Sequence, residues 1–218
     1  MTGIRDNGIS YNPTLRPAAE FDWNLFWQFT GRHQKFNRLL YSYHFRHYRR
    51  LLENVLPENP FVLELGAGTG ILARRIIRRW GGRAVLVDSN EHAFQLFQRG
   101  SQAGEPIEYV RADVLSLEFD PVFDLVYSDG LIEHFPNKSD VMEAHLRAVK
   151  ESGLIMFFVP NNSFIFKTVT RFGPDMGYEE RYSLRALVAL SERFGLEVLK
   201  QTQYFFEVGV LCRKKRSR

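Results

Sequence analysis

The stretch 61–70 has the residue types and the spacing of a ligand-binding turn. It reads FVLELGAGTG, so an apolar run leads directly into Gly66, Gly68 and Gly70, and a helical pattern follows at once. Glycines at a strand-to-helix turn permit positive φ and let a ligand approach the backbone closely. A tight turn without a ligand is the alternative, and three glycines within five residues argue against it.

The third glycine and a nearby carboxylate indicate which kind of ligand this turn accepts. A dinucleotide fingerprint has glycines at its first, third and sixth positions, whereas here the sixth position is Ile71 and the third glycine comes one residue earlier. Glu64 lies two residues before Gly66. A fixed negative charge there would repel a pyrophosphate, and it suits a cationic ammonium or sulfonium ligand.

Asp88 is a candidate ligand for a ribose. It ends the next apolar run, 18 residues after Gly70. A carboxylate at the end of a strand can accept hydrogen bonds from both vicinal hydroxyls of a ribose, which nucleotide-like ligands generally require. The alternative is that Asp88 caps the N-terminus of a helix over 90–99.

With these residues in view, the sequence resembles the class I S-adenosylmethionine-dependent methyltransferases. The similarity spans 61–211, and its motifs occur in the family order: ELGAGTG at 64–70, VLVD at 85–88, ADV at 112–114 and FDLVYS at 123–128. The resemblance implies S-adenosylmethionine as the cofactor. The residues it implies for binding that cofactor are Glu64, Gly66, Ala67, Gly68, Gly70, Asp88, Ser89, Asp113, Val114 and Ser128.

The resemblance also assigns parts of the cofactor to the later motifs. It implies that the Asp113 carboxylate faces the adenine amino group, that Val114 offers backbone polar groups, and that the backbone of Ser128 borders the methionine portion. A turn-forming role is the alternative for Asp113, because Asp often bonds to its own backbone in turns.

The segment after Ser128 indicates the kind of acceptor. Amine- and base-modifying members of the family carry Asn/Asp-Pro-Pro-Tyr/Phe here, and this chain has Ser128, Asp129, Gly130 and Leu131 instead. The sequence has no Pro-Cys pair, which closes the covalent-thiol route to cytosine. The Glu-His-Phe version at 133–135 resembles members that methylate small metabolites, often on oxygen. We therefore expect a small acceptor, apolar or aromatic, and methylation on oxygen or on nitrogen.

Glu133 and His134 are the candidate catalytic residues. Methyl transfer from a sulfonium depends mostly on holding two reactants in line, and a base is needed only when the acceptor must lose a proton. His134 suits that role because the unperturbed pKa of histidine is near 6.5. The alternative is that His134 packs or hydrogen-bonds beneath the sheet. No metal is predicted, because Glu133 and His134 have no third ligand near them in the sequence.

The elements that position these residues follow from the alternation of apolar runs and helical patterns, which indicates a parallel sheet covered on both faces. The predicted fold class is α/β, with a seven-stranded, mostly parallel, doubly wound (Rossmann-like) sheet, an antiparallel C-terminal edge strand and an N-terminal helical cap. The last two runs are expected to pair as a hairpin. The apolar runs cover 61–65, 84–88, 107–111, 123–127, 153–159, 196–202 and 204–211, and the helical patterns cover 70–80, 90–99, 139–151 and 183–194.

Four regions are predicted along the chain: a flexible arm (1–20), an aromatic helical cap (21–56), a methyltransferase domain (57–212) and a basic tail (213–218). The cap contains ten of the 31 aromatic residues, and their spacing predicts two short helices broken near Gly31. The cap and the connection 163–181 are both candidate walls of the acceptor pocket. A helical layer against the sheet, or a packed excursion, is the alternative for each.

The charge and the cysteine content limit which partners and which cellular location we expect. The formal net charge is +4, but five of the 29 Lys and Arg residues lie in 213–218, and the rest of the chain carries 24 basic against 25 acidic residues. This near-neutral body argues against nucleic acid. A single cysteine, Cys212, favours a cytoplasmic location, and no apolar run is long enough to span a membrane.

Two other functions are compatible with the sequence. One is a methyltransferase that acts on RNA or protein, with the Arg-rich helix after Gly70 and the basic tail as binding surfaces. The other is a non-catalytic, cofactor-binding subunit of a complex. The sequence does not indicate the oligomeric state.

Overall fold

The architecture is a seven-stranded sheet with helices on both faces. The computed structural model describes residues 9–10, 23–24, 26–27, 34–162 and 179–215. A short 3-10 helix covers Ile132–His134. The other elements, in chain order, are β1 (Ile9–Ser10), α1 (Gln34–Leu52), β2 (Phe61–Leu65), α2 (Ile71–Trp80), β3 (Arg83–Asp88), α3 (Glu91–Gly100), β4 (Ile107–Arg111), β5 (Phe123–Asp129), α4 (Lys138–Ala148), β6 (Val149–Pro160), β7 (Arg181–Tyr182), α5 (Leu184–Arg193), β8 (Leu196–Gln203) and β9 (Glu207–Lys214).

The strand order confirms the predicted fold class. The sheet runs β4-β3-β2-β5-β6-β9-β8, and β2 to β6 pair in parallel. The final strand, β9, is antiparallel to both of its neighbours, β6 and β8. The predicted hairpin is therefore present, with the antiparallel strand one place in from the edge and β8 at the edge itself. β1 pairs with β7 in a separate two-stranded ribbon.

The apolar strands are continuous because both faces of the sheet are covered. One face packs against α4 and α5 through a cluster that includes Leu63, Val126 and Leu187. The other face packs against α1 and α2 through Val62 and Ile76, among others. Residues that alternate along a strand thus enter opposite cores. This alternation determines which side chains share the α1 face.

Several predicted boundaries differ from the structure, and two of the differences have a clear cause. The helix expected over 139–151 ends at Ala148, and β6 begins at once with Val149, which is fully buried and pairs with Phe123. The pairing then shifts, so that Leu154 is opposite Leu125. The run predicted from residue 204 becomes a strand only at Glu207, because the Tyr204 N–H closes a turn onto the Glu207 carbonyl (3.0 Å).

The N-terminal segment is described in part. Residues 23, 24, 26 and 27 are helical and α1 begins at Gln34, while Gly31, where the break between two helices was predicted, lies outside the described residues. The end of α1 packs into the core through Tyr48, Leu51 and Leu52. Of the connection 163–181, residues 163–178 lie outside the described part. Within the described residues, no helix combines the length and the apolar character needed to cross a bilayer.

Candidate functional site

The glycine-rich turn after β2 is organised by the end of β3. The N–H groups of Gly66 and Ala67 donate to the Val87 carbonyl (2.9 and 3.0 Å), and the Gly68 N–H donates to Asp88 Oδ2 (2.8 Å). These N–H groups are therefore already bonded within the protein. A pyrophosphate site needs such groups free to face the phosphates, so the turn favours a ligand without phosphate, as the glycine spacing predicted.

Two of the glycines are required by close packing as well as by conformation. Gly70 has φ +65°, and a Cβ at this position would lie 2.4 Å from the Leu86 side chain, so its absence allows α2 to start tightly against β3. Gly68 has φ +53°, and a Cβ there would lie 2.3 Å from Cη2 of Trp27. The Trp27 ring therefore lies directly against the turn.

Asp88 lies at the carboxyl end of β3, and the residue that caps the following helix is Asn90 and not Asp88. Asp88 Oδ1 accepts from the Asn90 N–H (2.8 Å), and Asn90 itself caps α3 by accepting from the Ala93 N–H (3.0 Å). Burial raises the pKa of Asp88, and the two backbone donors oppose that rise. The carboxylate is thus held in a fixed orientation at the carboxyl end of β3.

Glu64 is buried in β2 at 3% exposure, on the α1 face of the sheet. Its pKa is raised well above the ordinary value, chiefly by burial and further by the charges of Asp129 and Asp88. Its Oε2 has no hydrogen-bond partner among the described residues. A buried carboxylate oxygen left without a donor is costly, and a cationic ligand group would satisfy it.

The remaining predicted cofactor residues lie at the same edge of the sheet but differ in role. The end of β4 is fixed beside β3 because the Ala112 N–H donates to the Asp88 carbonyl (3.2 Å). Asp113 is exposed, and its Oδ1 accepts from the Leu115 N–H (2.9 Å), which is the turn-forming role held open above. Ser89 is exposed directly after Asp88, and Val114 is buried.

The side chain of Ser128 points away from the cofactor-side face. Its Oγ bonds to His145 Nε2 on α4 (3.0 Å), and both residues are fully buried. The other ring nitrogen, Nδ1, lies 2.7 Å from the Val141 carbonyl, which can only accept, so a neutral imidazole carries its proton on Nδ1. Burial lowers the pKa of His145 to about 4. The side chain of Ser128 is therefore occupied within the protein, and only its backbone remains as a candidate contact for a ligand.

Glu133 and His134 lie together in the 3-10 helix that follows β5. Both are buried, and His134 Nε2 lies 3.8 Å from Glu133 Oε1. The pKa of Glu133 is raised well above its ordinary value, chiefly by burial. The Trp23 ring meets the His134 ring edge-on, at 4.8 Å between centroids.

Residues of the predicted cap lie over both halves of this site. Trp23 contacts His134 and Trp27 contacts Gly68. Between them, Asn24 Oδ1 accepts from Asn90 Nδ2 (3.0 Å). This helical segment therefore bridges the glycine turn, the start of α3 and the candidate base.

A partly buried polar cluster on the α1 face was not predicted as a site. Asp129 ends β5, Glu207 begins β9, and His44 reaches them from α1. Burial and the charge of Asp129 raise the pKa of Glu207 well above its ordinary value, and burial lowers the pKa of His44 to about 4. Asp129 alone lay beside a recognised motif. His44 and Glu207 are 163 positions apart, so no local pattern joins them.

The Arg-rich face of α2 is largely occupied within the chain. Arg74 Nε bonds to both oxygens of Glu105 (2.9 and 3.0 Å), and Arg75 bonds to Ser42 (2.9 Å). Arg79 pairs with Glu53 at 3.4 Å. Guanidinium groups used in this way are less available to phosphates.

The chain is thus an α/β protein with a doubly wound sheet, and its glycine turn and the carboxylates at the strand ends form a candidate ligand site at the carboxyl edge of that sheet. A family model described as a methyltransferase domain matches residues 62–153. The ubiquinone biosynthesis O-methyltransferase of Pseudomonas fluorescens (strain SBW25) is 31% identical over 105 residues, which are 47% of this chain and 45% of that protein. The chain thus spans less than half the length of this curated relative. Over residues 62–153 the chain is thus similar to S-adenosylmethionine-dependent methyltransferases.

Solved structures share the fold over nearly the whole chain. The 1,6-didemethyltoxoflavin-N1-methyltransferase of Burkholderia thailandensis, with bound 1,6-didemethyltoxoflavin and S-adenosylhomocysteine, has a TM-score of 0.69 at 16% identity, and covers 99% of this chain and 100% of that one. A chain from the complex of the Haloferax volcanii Trm112 methyltransferase activator with a methyltransferase has a TM-score of 0.70 at 15% identity, and covers 87% and 98%. At these identities the likeness concerns the fold.

Proposed function

We propose that the chain catalyses transfer of a methyl group from S-adenosylmethionine to a small acceptor. The observation that carries the proposal is the Asp88 carboxylate, bonded to the Gly68 N–H at 2.8 Å, at the edge where such sheets bind nucleotides. The unpartnered Glu64 Oε2 fits a cofactor that carries an ammonium and a sulfonium. The proposed location is the cytoplasm.

The residues present fit the cofactor in several ways. Asp88 would accept hydrogen bonds from the ribose hydroxyls, and Glu64 would face the cationic end. We assign Gly66, Ala67, Gly68 and Gly70 to the turn beneath it, and Ser89, Asp113, Val114 and Ser128 to its rim. When bound, the cofactor supplies a methyl group on a sulfonium that is open to in-line attack.

We propose a small acceptor with an aromatic or apolar body, methylated on oxygen or on nitrogen. Trp23 and Trp27 would provide an aromatic wall at the site. The name of the Pseudomonas fluorescens relative, an O-methyltransferase of ubiquinone biosynthesis, favours oxygen. An acceptor that is methylated on a ring nitrogen is the alternative, because the Burkholderia protein is named an N1-methyltransferase.

His134 is the proposed proton acceptor. Loss of the hydroxyl proton makes the acceptor oxygen a stronger nucleophile, and the neighbouring Glu133, with Oε1 3.8 Å from His134 Nε2, would help to orient the imidazole. We expect His134→Ala to lower turnover by ~10²-fold or more. Arg99→Ala is the control, because Arg99 is exposed in the last turn of α3. Near-normal turnover of His134→Ala at saturating acceptor would remove His134 from this role.

The deciding experiment measures cofactor binding and methyl transfer separately. Calorimetry with S-adenosylmethionine and S-adenosylhomocysteine tests the site, and transfer of labelled methyl to a panel of phenols, heterocycles, RNA and protein tests the acceptor. Transfer to small molecules that is insensitive to salt is expected. Transfer to RNA with a steep salt dependence would favour the macromolecular rival. Binding without any transfer until a partner protein is added would favour a non-catalytic subunit.

A further inference from the structure

His44, Asp129 and Glu207 are brought to one point by three separate elements. The last residue of β5, Asp129, is opposite Phe158 of β6, which is opposite Gly209 of β9. Glu207 lies two residues from Gly209, and side chains at a spacing of two share one face of a sheet. Both carboxyl groups therefore project on the same face, where α1 packs.

The packing of α1 fixes the position of the imidazole. Gly209 has no side chain, and a Cβ there would lie 2.5 Å from the Phe158 ring, so the ring can lie over β9. The Tyr48 ring stacks on Phe158 with 4.0 Å between centroids and 6° between planes. His44 lies one turn before Tyr48 on α1, and residues at this spacing share a helix face.

The geometry of the three side chains is that of a ligand set. One ligand atom from each of His44, Asp129 and Glu207 lies within 4.8 Å of the other two. Bonds of about 2.0–2.2 Å to one ion would place two ligands up to about 4.4 Å apart, so a small movement of the side chains completes the set. His44 Nδ1 is 3.6 Å from Glu207 Oε2, too long for a hydrogen bond and short enough for a shared ion.

The imidazole gives an independent indication of a missing ligand. His44 is 7% exposed, and among the described residues neither of its ring nitrogens has a hydrogen-bond partner. Buried polar side-chain atoms nearly always have one. The Tyr204 hydroxyl already donates to Glu207 Oε2 and so orients the carboxylate, as hydrogen bonds to ligand residues do around bound metals.

The charge of the cluster also favours a bound cation. The carboxyl groups of Asp129 and Glu207 are half-buried and lie close together, and the charge of Asp129 also acts on Glu64. Within the described part of the chain, His44 is the only ion-pair partner of Glu207. Buried charges in proteins are paired or bind metals.

We infer that His44, Asp129 and Glu207 bind a divalent transition-metal ion. One imidazole and two carboxylates suit Mn²⁺, Fe²⁺ or Zn²⁺. Three protein ligands leave coordination positions open, and an oxygen of the acceptor can fill one of them. That use of the ion rests on the proposed function, whereas the binding of the ion does not.

The test measures metal binding without cofactor. Full-length protein treated with a chelator is titrated with Mn²⁺, followed by the electron paramagnetic resonance of free Mn²⁺ and by calorimetry. One ion per chain is expected, and Glu207→Gln and His44→Gln should each weaken binding by ~100-fold or more. Glu197→Gln on β8 is the matched control, since Glu197 is an exposed carboxylate paired with Arg213, and its affinity should equal that of the wild type.

A second metal ion, Co²⁺, distinguishes direct coordination by His44 from a general attraction of cations to the carboxylates. Co²⁺ should give visible d–d absorption bands in the wild type that are lost in His44→Gln. Failure of the wild-type protein to bind Mn²⁺ or Co²⁺, or binding that persists in both variants, would overturn the site; neither result depends on how well the variants fold. A wild type that binds metal but not S-adenosylmethionine would instead contradict the proposed function.

Discussion

At the residue scale, the site depends on carboxylates that the backbone holds in place. Asp88 could be proposed as a ligand residue from the sequence because it ends an apolar run shortly after the glycine turn. The cluster of His44, Asp129 and Glu207 could not be, because three distant segments meet only once the sheet order and the packing of α1 are known. A local sequence pattern indicates where a strand ends, whereas contacts between distant elements can be identified only from the whole fold.

The first residue-scale prediction concerns Asp88. Asp88→Ala removes the acceptor for the Gly68 N–H and the proposed ribose ligand. We expect binding of S-adenosylmethionine to weaken by ~1–3 kcal/mol, the scale of lost charge-assisted hydrogen bonds, as measured by calorimetry. Asp120→Ala, at an exposed position, is the control and should bind normally. An unchanged affinity in Asp88→Ala would refute the ribose assignment.

The second residue-scale prediction concerns His145 and pH. Its pKa is about 4 in the folded protein, because burial disfavours the charged imidazole, against about 6.5 when unfolded. As the pH falls below about 6.5 the unfolded state binds the proton first, so stability falls progressively until the pH reaches about 4. The two values imply that the His145 contribution to the free energy of unfolding falls by about 2 kcal/mol between pH 7.5 and pH 5.

Urea unfolding at several pH values checks this contribution. His145→Gln removes the titrating group, so the difference in unfolding free energy between wild type and variant should shrink as the pH falls through this window. His44, whose pKa is also lowered to about 4, remains in both proteins and cancels in the comparison. A difference independent of pH would show that His145 does not titrate as described.

At the element scale, the sequence predicted the strands and helices of the sheet but not all of their ends. Alternation and apolar runs identify strands because both faces of the sheet are buried. The boundary between α4 and β6 was missed because Val149, which suits a helix or a strand, is fixed in β6 by its pairing with Phe123. The role of the cap could not be predicted, because a helix with one aromatic face can either line a pocket or pack against the sheet.

The described part of the cap leads to an element-scale prediction. The Trp27 ring lies against Gly68, where the proposed cofactor would contact the turn, so binding must change its surroundings. Trp80 lies in α2 and packs on Phe45. In a Trp80→Phe protein, we therefore expect saturable quenching or a spectral shift of tryptophan emission on addition of S-adenosylhomocysteine.

The matched variant for this experiment is Trp80→Phe combined with Trp27→Phe. It retains Trp23 beside His134, and its emission change should be much smaller than that of Trp80→Phe alone. Calorimetry on both proteins shows that the ligand still binds. An emission change of equal size in the two proteins would mean that Trp27 does not respond to the cofactor.

At the scale of the whole molecule, one sheet supports the site at its carboxyl edge and is stabilised in part from the opposite edge. The region predicted as a basic tail, 213–218, begins inside this sheet: Arg213 and Lys214 are the last residues of β9. Lys214 Nζ donates to the Val149 carbonyl (3.0 Å), and Arg213 pairs with Glu197 of β8. Because β9 runs antiparallel, its far end, Glu207, lies at the site.

Deleting residues 213–218 should therefore lower the free energy of unfolding without changing the affinity for the cofactor. The loss of the Lys214 hydrogen bond and of two ladder positions should lower the free energy of unfolding by ~1–3 kcal/mol, while the exposed Arg213–Glu197 pair contributes little. Deletion of 216–218 alone is the control and should leave stability nearly unchanged. Both proteins should bind S-adenosylmethionine with wild-type affinity in calorimetry at a temperature where they are folded. A large loss of affinity in the longer deletion alone would show that the amino edge of the sheet is coupled to the site, because the strands between them transmit the change.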